Sequence, residues 1–161
     1  MCPIGAIGMT SSVAALIPRM VQLSGTYCGN SFALGILTAA QSYATEERQD
    51  ELEAKSKRMH DRCQQIITQY GLPAIVEYVG NKGCITFFKE GHELSHVSNY
   101  QEYIRNVDLV LERLLPVFMF NRGLWVQPRD EWSVSFQHTD ADLDVFLNTF
   151  ELFAQTIKAC M

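Results

Sequence analysis

Residues 74–88 read Ala-Ile-Val-Glu-Tyr-Val-Gly-Asn-Lys-Gly-Cys-Ile-Thr-Phe-Phe. Two runs rich in β-branched and aromatic residues, Ala74 to Val79 and Cys84 to Phe88, flank Gly80, Asn81, Lys82 and Gly83, which predicts a β-hairpin with a four-residue connection. The segments on either side carry helical rather than strand periodicity. Between Glu46 and Tyr70, Leu52, Met59, Cys63, Ile66, Ile67 and Tyr70 fall on one helical face, charged residues cover the rest, and Gly71 with Pro73 supplies the stop. Beyond a polar loop at Lys89 to Ser98, a helical pattern runs from Asn99 or Asp108 to Asn121, and Pro116 is expected to kink or break it. Leu124 to Val126 and Trp132 to Phe136 read as short strands around a turn at Pro128, Arg129 and Asp130. A last helix starts at Thr139, whose pairing with Asp142 resembles a capping box, and carries an apolar stripe of Leu143, Phe146, Leu147, Phe150, Phe153 and Ile157. A hairpin set among helices in this order predicts an α+β fold, a small mostly antiparallel sheet packed by helices.

The chain has 161 residues, of which 47% are hydrophobic and 19% charged, the composition of a globular domain without internal repeats or low-complexity stretches. Its formal charge of −5 argues against attraction to nucleic acid or to an anionic membrane. The longest apolar runs, Val13 to Ile17 and Leu114 to Phe120, are too short to cross a bilayer, and no basic flank marks a secretory signal, so a soluble cytoplasmic protein is expected. Five cysteines, Cys2, Cys28, Cys63, Cys84 and Cys160, have wide spacings and no C-x-x-C, which fits reduced thiols. Residues 1–31 are rich in Gly, Ser and Thr with few charges, and a small-residue helix from Phe32 to Tyr43 has the composition of a buried one. By composition the expected division is 1–31, loops, and the remainder, a domain.

Three constellations bear on chemistry. His92, Glu93 and His96 match H-E-x-x-H, in which two imidazoles on one helical face bind zinc beside a glutamate base; Gly91 before them and the polar residues after them favour a loop. Cys28, between Tyr27 and Gly29, is an exposed thiol position with no His or acid beside it in sequence to activate it. Ser24 to Asn30 precede a small-residue helix, an arrangement that leaves backbone N–H groups and the Thr26 hydroxyl available to a phosphate, or that simply caps a helix.

Several segments together resemble the C-terminal part of a class III pyridoxal-phosphate-dependent aminotransferase, in its glutamate-1-semialdehyde aminomutase-like branch. Pro3, Gly5, Ala6 and Gly8 match a P-x-G-A-x-G stretch, and Gly25, Thr26, Gly29 and Asn30 match G-T-x-x-G-N. Gly123 and Pro128 match G-V-x-x-x-P, and Ser135, His138, Thr139 and Asp142 match S-x-x-H-T-x-x-D. Ser31 departs from the proline usual at its position, and the stretch from Pro128 to His138 is shorter than in the aminomutases.

The resemblance implies the small C-terminal domain of a fold-type I enzyme from residue 46 onward, with residues 1–45 a remnant of the large domain and its interface helix. It implies that Thr26 binds the phosphate of a pyridoxal 5'-phosphate held by the neighbouring subunit of a homodimer or larger oligomer, with Gly25 allowing close approach. Arg129 and Glu131 fall in the segment that faces an amino-acid substrate, where Arg129 would fork onto a carboxylate. The Schiff-base lysine is expected upstream of Met1, and none of Lys55, Lys57, Lys82, Lys89 or Lys158 sits in a comparable motif. A C-terminal fragment inactive by itself is the expectation; a non-catalytic dimerisation module and, further off, a zinc hydrolase using His92, Glu93 and His96 are the alternatives. Ile4, Ile7, Val13, Leu16 and Ile17 are expected to lack apolar partners, favouring self-association or local disorder.

Overall fold

The computed structural model describes residues 7–17, 25, 26, 28–92, 94–127 and 131–160. The backbone divides into two compact units, Met1–Glu46 and Glu47–Met161. In the first, a single helical turn, α1 (Ser11–Ala14), precedes the helix α2 (Ser31–Tyr43). Asn30 caps α2, its side-chain oxygen accepting from the Ala33 N–H at 3.0 Å. The composition of α2 predicts burial, yet only Ala33 is buried, while Phe32 is 73% exposed and Leu34 and Ile36 also face solvent. Ile7, Val13 and Leu16 are likewise exposed.

The second unit carries the α+β fold. Its elements are α3 (Glu46–Tyr70), β1 (Ala74–Val79), β2 (Lys82–Phe87), α4 (Tyr100–Asn106), α5 (Leu109–Phe120), β3 (Glu131–Ser133) and α6 (Asp140–Cys160). The strands form one antiparallel sheet in the order β1-β2-β3. Ala74, Val76, Ile85, Phe87 and Trp132 turn one face of it toward Cys63, Ile66 and Ile67 of α3, Leu115 and Met119 of α5, and Phe146, Phe150 and Phe153 of α6. Polar contacts hold the frame at its rim: Arg62 pairs with Glu151 at 2.9 Å, Arg58 with Asp140 at 2.6 Å, and the Val76 N–H donates to Gln64 Oε1 at 3.3 Å.

Four local expectations are corrected. The hairpin turns on two residues, Gly80 and Asn81, with Val79 opposite Lys82 and Gly80 at φ +56°. Gly83 is a strand residue, and its lack of a side chain serves Trp132, the residue opposite it on β3. A Cβ there would lie 2.3 Å from the indole Cζ2. The helix of 109–120 runs unbroken through Pro116; the break falls earlier, at Val107, which is fully buried and bridges Phe88. Separate caps start the two helices there, Asn99 accepting from the Glu102 N–H and Asp108 from those of Val110 and Leu111.

Leu124 to Val126 do not form a strand. Gly123, at φ +81°, closes α5 with its own N–H on Phe120 O and the Leu124 N–H on Met119 O. The alternation that suggested a strand is real, since Leu124 and Val126 pack on the core and Trp125 is exposed, but no neighbouring strand pairs with it. Finally, β3 is Glu131–Ser133 rather than Trp132–Phe136, because the Val134 N–H and C=O turn to the hairpin tip and bond Asn81.

The expected cap of the last helix is present. The Asp142 N–H donates to Thr139 Oγ1 at 3.2 Å, and Asp142 Oδ2 accepts from the Thr139 N–H at 2.8 Å and its hydroxyl at 2.7 Å. Those bonds, the hydroxyl's first and the backbone's second, hold the Asp142 carboxyl below its ordinary range. A depressed carboxyl contributes stability above its unfolded value, about 3.9, and loses it as pH falls through the folded value. Thr139→Ala is expected to cost about 1 kcal/mol in denaturant unfolding at pH 7. The stability difference between the wild type and Asp142→Asn should shrink between about pH 5 and pH 3. A difference that stays constant over that range would contradict the cap's role.

Candidate functional site

The G-T-x-x-G-N stretch forms a tight turn, closed by the Cys28 N–H donating to Gly25 O at 3.0 Å. A Cβ on Gly25 would come 3.2 Å from Cys28 Sγ, so a larger residue would crowd the turn. Gly29 sits at φ +68° with nothing within 4 Å of where a Cβ would be, leaving its backbone open to approach. Thr26 and Cys28 are both exposed, and Asn30 then starts α2. A small, open-backed turn presenting a hydroxyl fits a phosphate oxygen acceptor. Pro3, Gly5, Ala6, Cys2, Ile4 and Tyr27 lie outside the described residues.

A covalent anchor for an aldehyde cofactor would have to be a lysine, and the first 46 residues contain none. In the second unit, Lys57 pairs with Asp61 at 2.5 Å, Lys55 donates to His138 O and Lys89 to Arg105 O. Lys82 is an exposed strand residue at the hairpin, and the Lys158 ammonium lies beside Gly71 at the end of α3. Each of these places is a surface or capping one, and none is an enclosed pocket. The residues present therefore fit one contact to a cofactor's phosphate, and they do not fit its covalent attachment.

Of the two substrate-facing candidates, Arg129 lies outside the described residues, as does Pro128. Glu131 is exposed at the start of β3 and lines a cleft with Trp125, Gln127, Ser133, His138 and Asp142. It also stands opposite Cys84 on β2, which in turn pairs with Glu77 on β1. Burial pushes the Cys84 thiol up, and the carboxylates of Glu77 and Glu131 push it further, so this sheet face carries a resting thiol rather than a nucleophile. The Cys63 thiol is raised by burial in the core.

On the cleft wall, His138 accepts the Ser135 N–H at its Nδ1 at 2.9 Å, which puts its own proton on Nε2 and fixes the strand-to-helix corner. The S-x-x-H-T-x-x-D motif is thus a structural corner that aims the start of α6.

His92 and His96 lie in a loop and take different partners. His92 Nδ1 is 2.7 Å from Asn106 Oδ1, and His96 Nδ1 bonds Glu77 Oε1, which also accepts the Val97 N–H. Glu93 is outside the described residues. No group of three His, Cys, Asp or Glu that could hold a metal occurs among the described residues. No described helix is long and apolar enough to cross a membrane.

No family model matches the chain. Among curated proteins it is 31% identical over 140 residues to a glutamate-1-semialdehyde 2,1-aminomutase of Clostridium botulinum, covering 83% of this chain and 31% of that one. It is 28% identical over 156 residues to the enzyme of that name from Persephonella marina, covering 92% and 35%. The chain thus spans about a third of the length of the curated relatives it matches. Among solved structures, a β-phenylalanine aminotransferase from Variovorax paradoxus superposes with a TM-score of 0.81 at 23% identity, over 94% of this chain and 35% of that one. A glutamate-1-semialdehyde aminomutase from Pseudomonas aeruginosa, solved with PMP, superposes at 0.75 and 16% identity, over 92% and 35%.

Proposed function

We propose that this chain, which resembles the C-terminal portion of class III pyridoxal-phosphate-dependent aminotransferases and aminomutases, supplies the small domain and one phosphate contact of such an enzyme. The reaction would be amino-group transfer, or exchange within one molecule, on an amino or keto acid. Pyridoxal phosphate, when bound, supplies the electron sink for that chemistry. The chain's own part is binding and positioning. The Thr26 hydroxyl donates to a phosphate oxygen, Gly25 and Gly29 let that oxygen approach the backbone, and β3 with the Ser135–His138 corner forms one wall of the substrate site. By themselves the 161 residues do not carry out the reaction, because none of their five lysines is placed to attach the cofactor. The observation that carries this reading is the open turn at Gly25 to Asn30, set in a sequence related to the aminomutases over 83% of its length.

The test is co-expression of the chain with the portion of the Clostridium botulinum aminomutase that it does not match. Loss of the Thr26 bond to a charged phosphate is worth about 1.5–3 kcal/mol, so cofactor retention by the co-purified pair should fall at least tenfold in Thr26→Ala and survive in Thr26→Ser. Equal retention in Thr26→Ala would remove the phosphate role, and failure of the wild-type chain to associate would remove the reading altogether.

The exposed Phe32, Leu34 and Ile36 of α2 favour one further reading, a module that self-associates without chemistry. It predicts association of the chain alone that Thr26→Ala leaves unchanged and that polar substitutions in α2 abolish.

A further inference from the structure

The chain leaves β3 through a contact with the tip of the hairpin. In the register of β2 and β3, Lys82 stands opposite Ser133, so the next pair in line is Asn81 with Val134. Asn81 belongs to the turn, yet it completes that pair. Its carbonyl accepts the Val134 N–H at 2.8 Å, as a strand residue's would, and its side-chain Nδ2 donates to Val134 O at 2.8 Å, the place a backbone N–H takes in a regular ladder. Val134 is buried, so both of its backbone groups need partners inside the protein.

Two devices therefore hold this segment. Trp132, packed against Gly83 and Phe146, fixes which face of β3 enters the core. The course of the chain after Ser133 is set instead by Asn81 at Val134 and, at the far side of the corner, by Lys55, whose ammonium donates to His138 O at 3.1 Å. Between these two points the corner closes on itself, with the Ser135 N–H on His138 Nδ1 and the His138 N–H on Ser135 O at 3.1 Å.

We propose that Asn81 is a positioning residue for the substrate, acting through Val134 to hold the wall made by β3 and the Ser135–His138 corner. The proposal rests on the function proposed above, which assigns that wall to the substrate site. The contact explains why the residue is an amide. Aspartate has nearly the same shape and a similar preference for turns, but its carboxylate only accepts, and it would meet Val134 O with no hydrogen to share. Thr26, the phosphate contact, lies in the other unit of the chain, so the two roles separate: Asn81 governs substrate and Thr26 governs cofactor retention.

Asn81→Asp and Asn81→Ala test this, first in the chain alone. Hydrogen exchange followed by NMR should be about tenfold faster at the Val134 amide in both variants, with the amides of α3 and the later turns of α6 unchanged. In the pair co-expressed with the Clostridium botulinum aminomutase portion, the probe is glutamate-1-semialdehyde, from which that enzyme takes its name. Its KM should rise about tenfold in Asn81→Asp, with kcat moving much less and cofactor retention at the wild-type level. Exchange at Val134 unchanged in both variants, or faster exchange spread over α3 and α6 as well, would overturn the positioning role. Faster exchange at Val134 with KM unchanged would also overturn it, since Asn81 would then shape the corner without serving substrate, and the phosphate contact at Thr26 would stand. A wild-type pair that retains cofactor but does not turn over the probe would remove the substrate wall from the proposed function, and this inference with it.

Discussion

Phe153→Ala is expected to destabilise the second unit by about 4 kcal/mol. Phe153 is fully buried, and its ring meets Phe118 at 5.3 Å, Phe87 at 5.9 Å and Phe150 at 6.4 Å. It is therefore the point where α5, β2 and α6 meet. Removing the ring forfeits its transfer free energy and leaves a void between elements that cannot all close on it. Against a total stability of roughly 5–15 kcal/mol for a domain, that loss should lower the melting temperature by roughly 15 °C. Thermal unfolding followed by far-UV circular dichroism checks this. A loss below about 1 kcal/mol would mean that the three elements do not share a core at this residue.

Gly83→Val should cost about 3 kcal/mol, although glycine to valine in a strand ordinarily favours the strand. The sign is set by Trp132. Its indole crowds Gly83, with Cζ2 2.3 Å and Cε2 2.5 Å from where a Cβ would stand, and it is itself 7% exposed. Phe146 supports the ring at 6.0 Å, so it has little room to withdraw. Urea unfolding should show the loss, and Trp132→Leu in the Gly83→Val background should recover at least 1 kcal/mol relative to the sum of the single effects. Additive effects would show that the glycine is required for its backbone alone.

The same pair of residues shows how far the fold could be read in the sequence. A glycine beside a turn signal reads as part of the turn, because the residue that demands its small size lies 49 positions away on a strand of three residues. The long helices were legible because their burial is periodic and their ends are written locally, as in Leu52 to Ile67 of α3 and Thr139 with Asp142 at α6. Asn99 and Asp108, the alternative starts of the next helical pattern, are both caps, whereas the bridge from Val107 to Phe88 that lies between the two helices is not encoded locally. Leu124 to Val126 carried the alternation of a strand without its partner, and pairing is a property of two segments rather than one.

At the candidate site, the turn at Gly25 to Asn30 was legible in its glycines, while the partition of His92 and His96 between Asn106 and Glu77 depends on contacts 14 and 19 residues distant.

The central claim is that these residues build the small domain of an aminotransferase and contain no lysine that attaches its cofactor. Incubation of the purified chain with pyridoxal phosphate, reduction with borohydride and peptide mapping by mass spectrometry test it directly. The account predicts sparse labelling scattered over Lys55, Lys57, Lys82, Lys89 and Lys158, well below one label per chain at any of them. Stoichiometric labelling of a single lysine, with the other four unmodified, would contradict it.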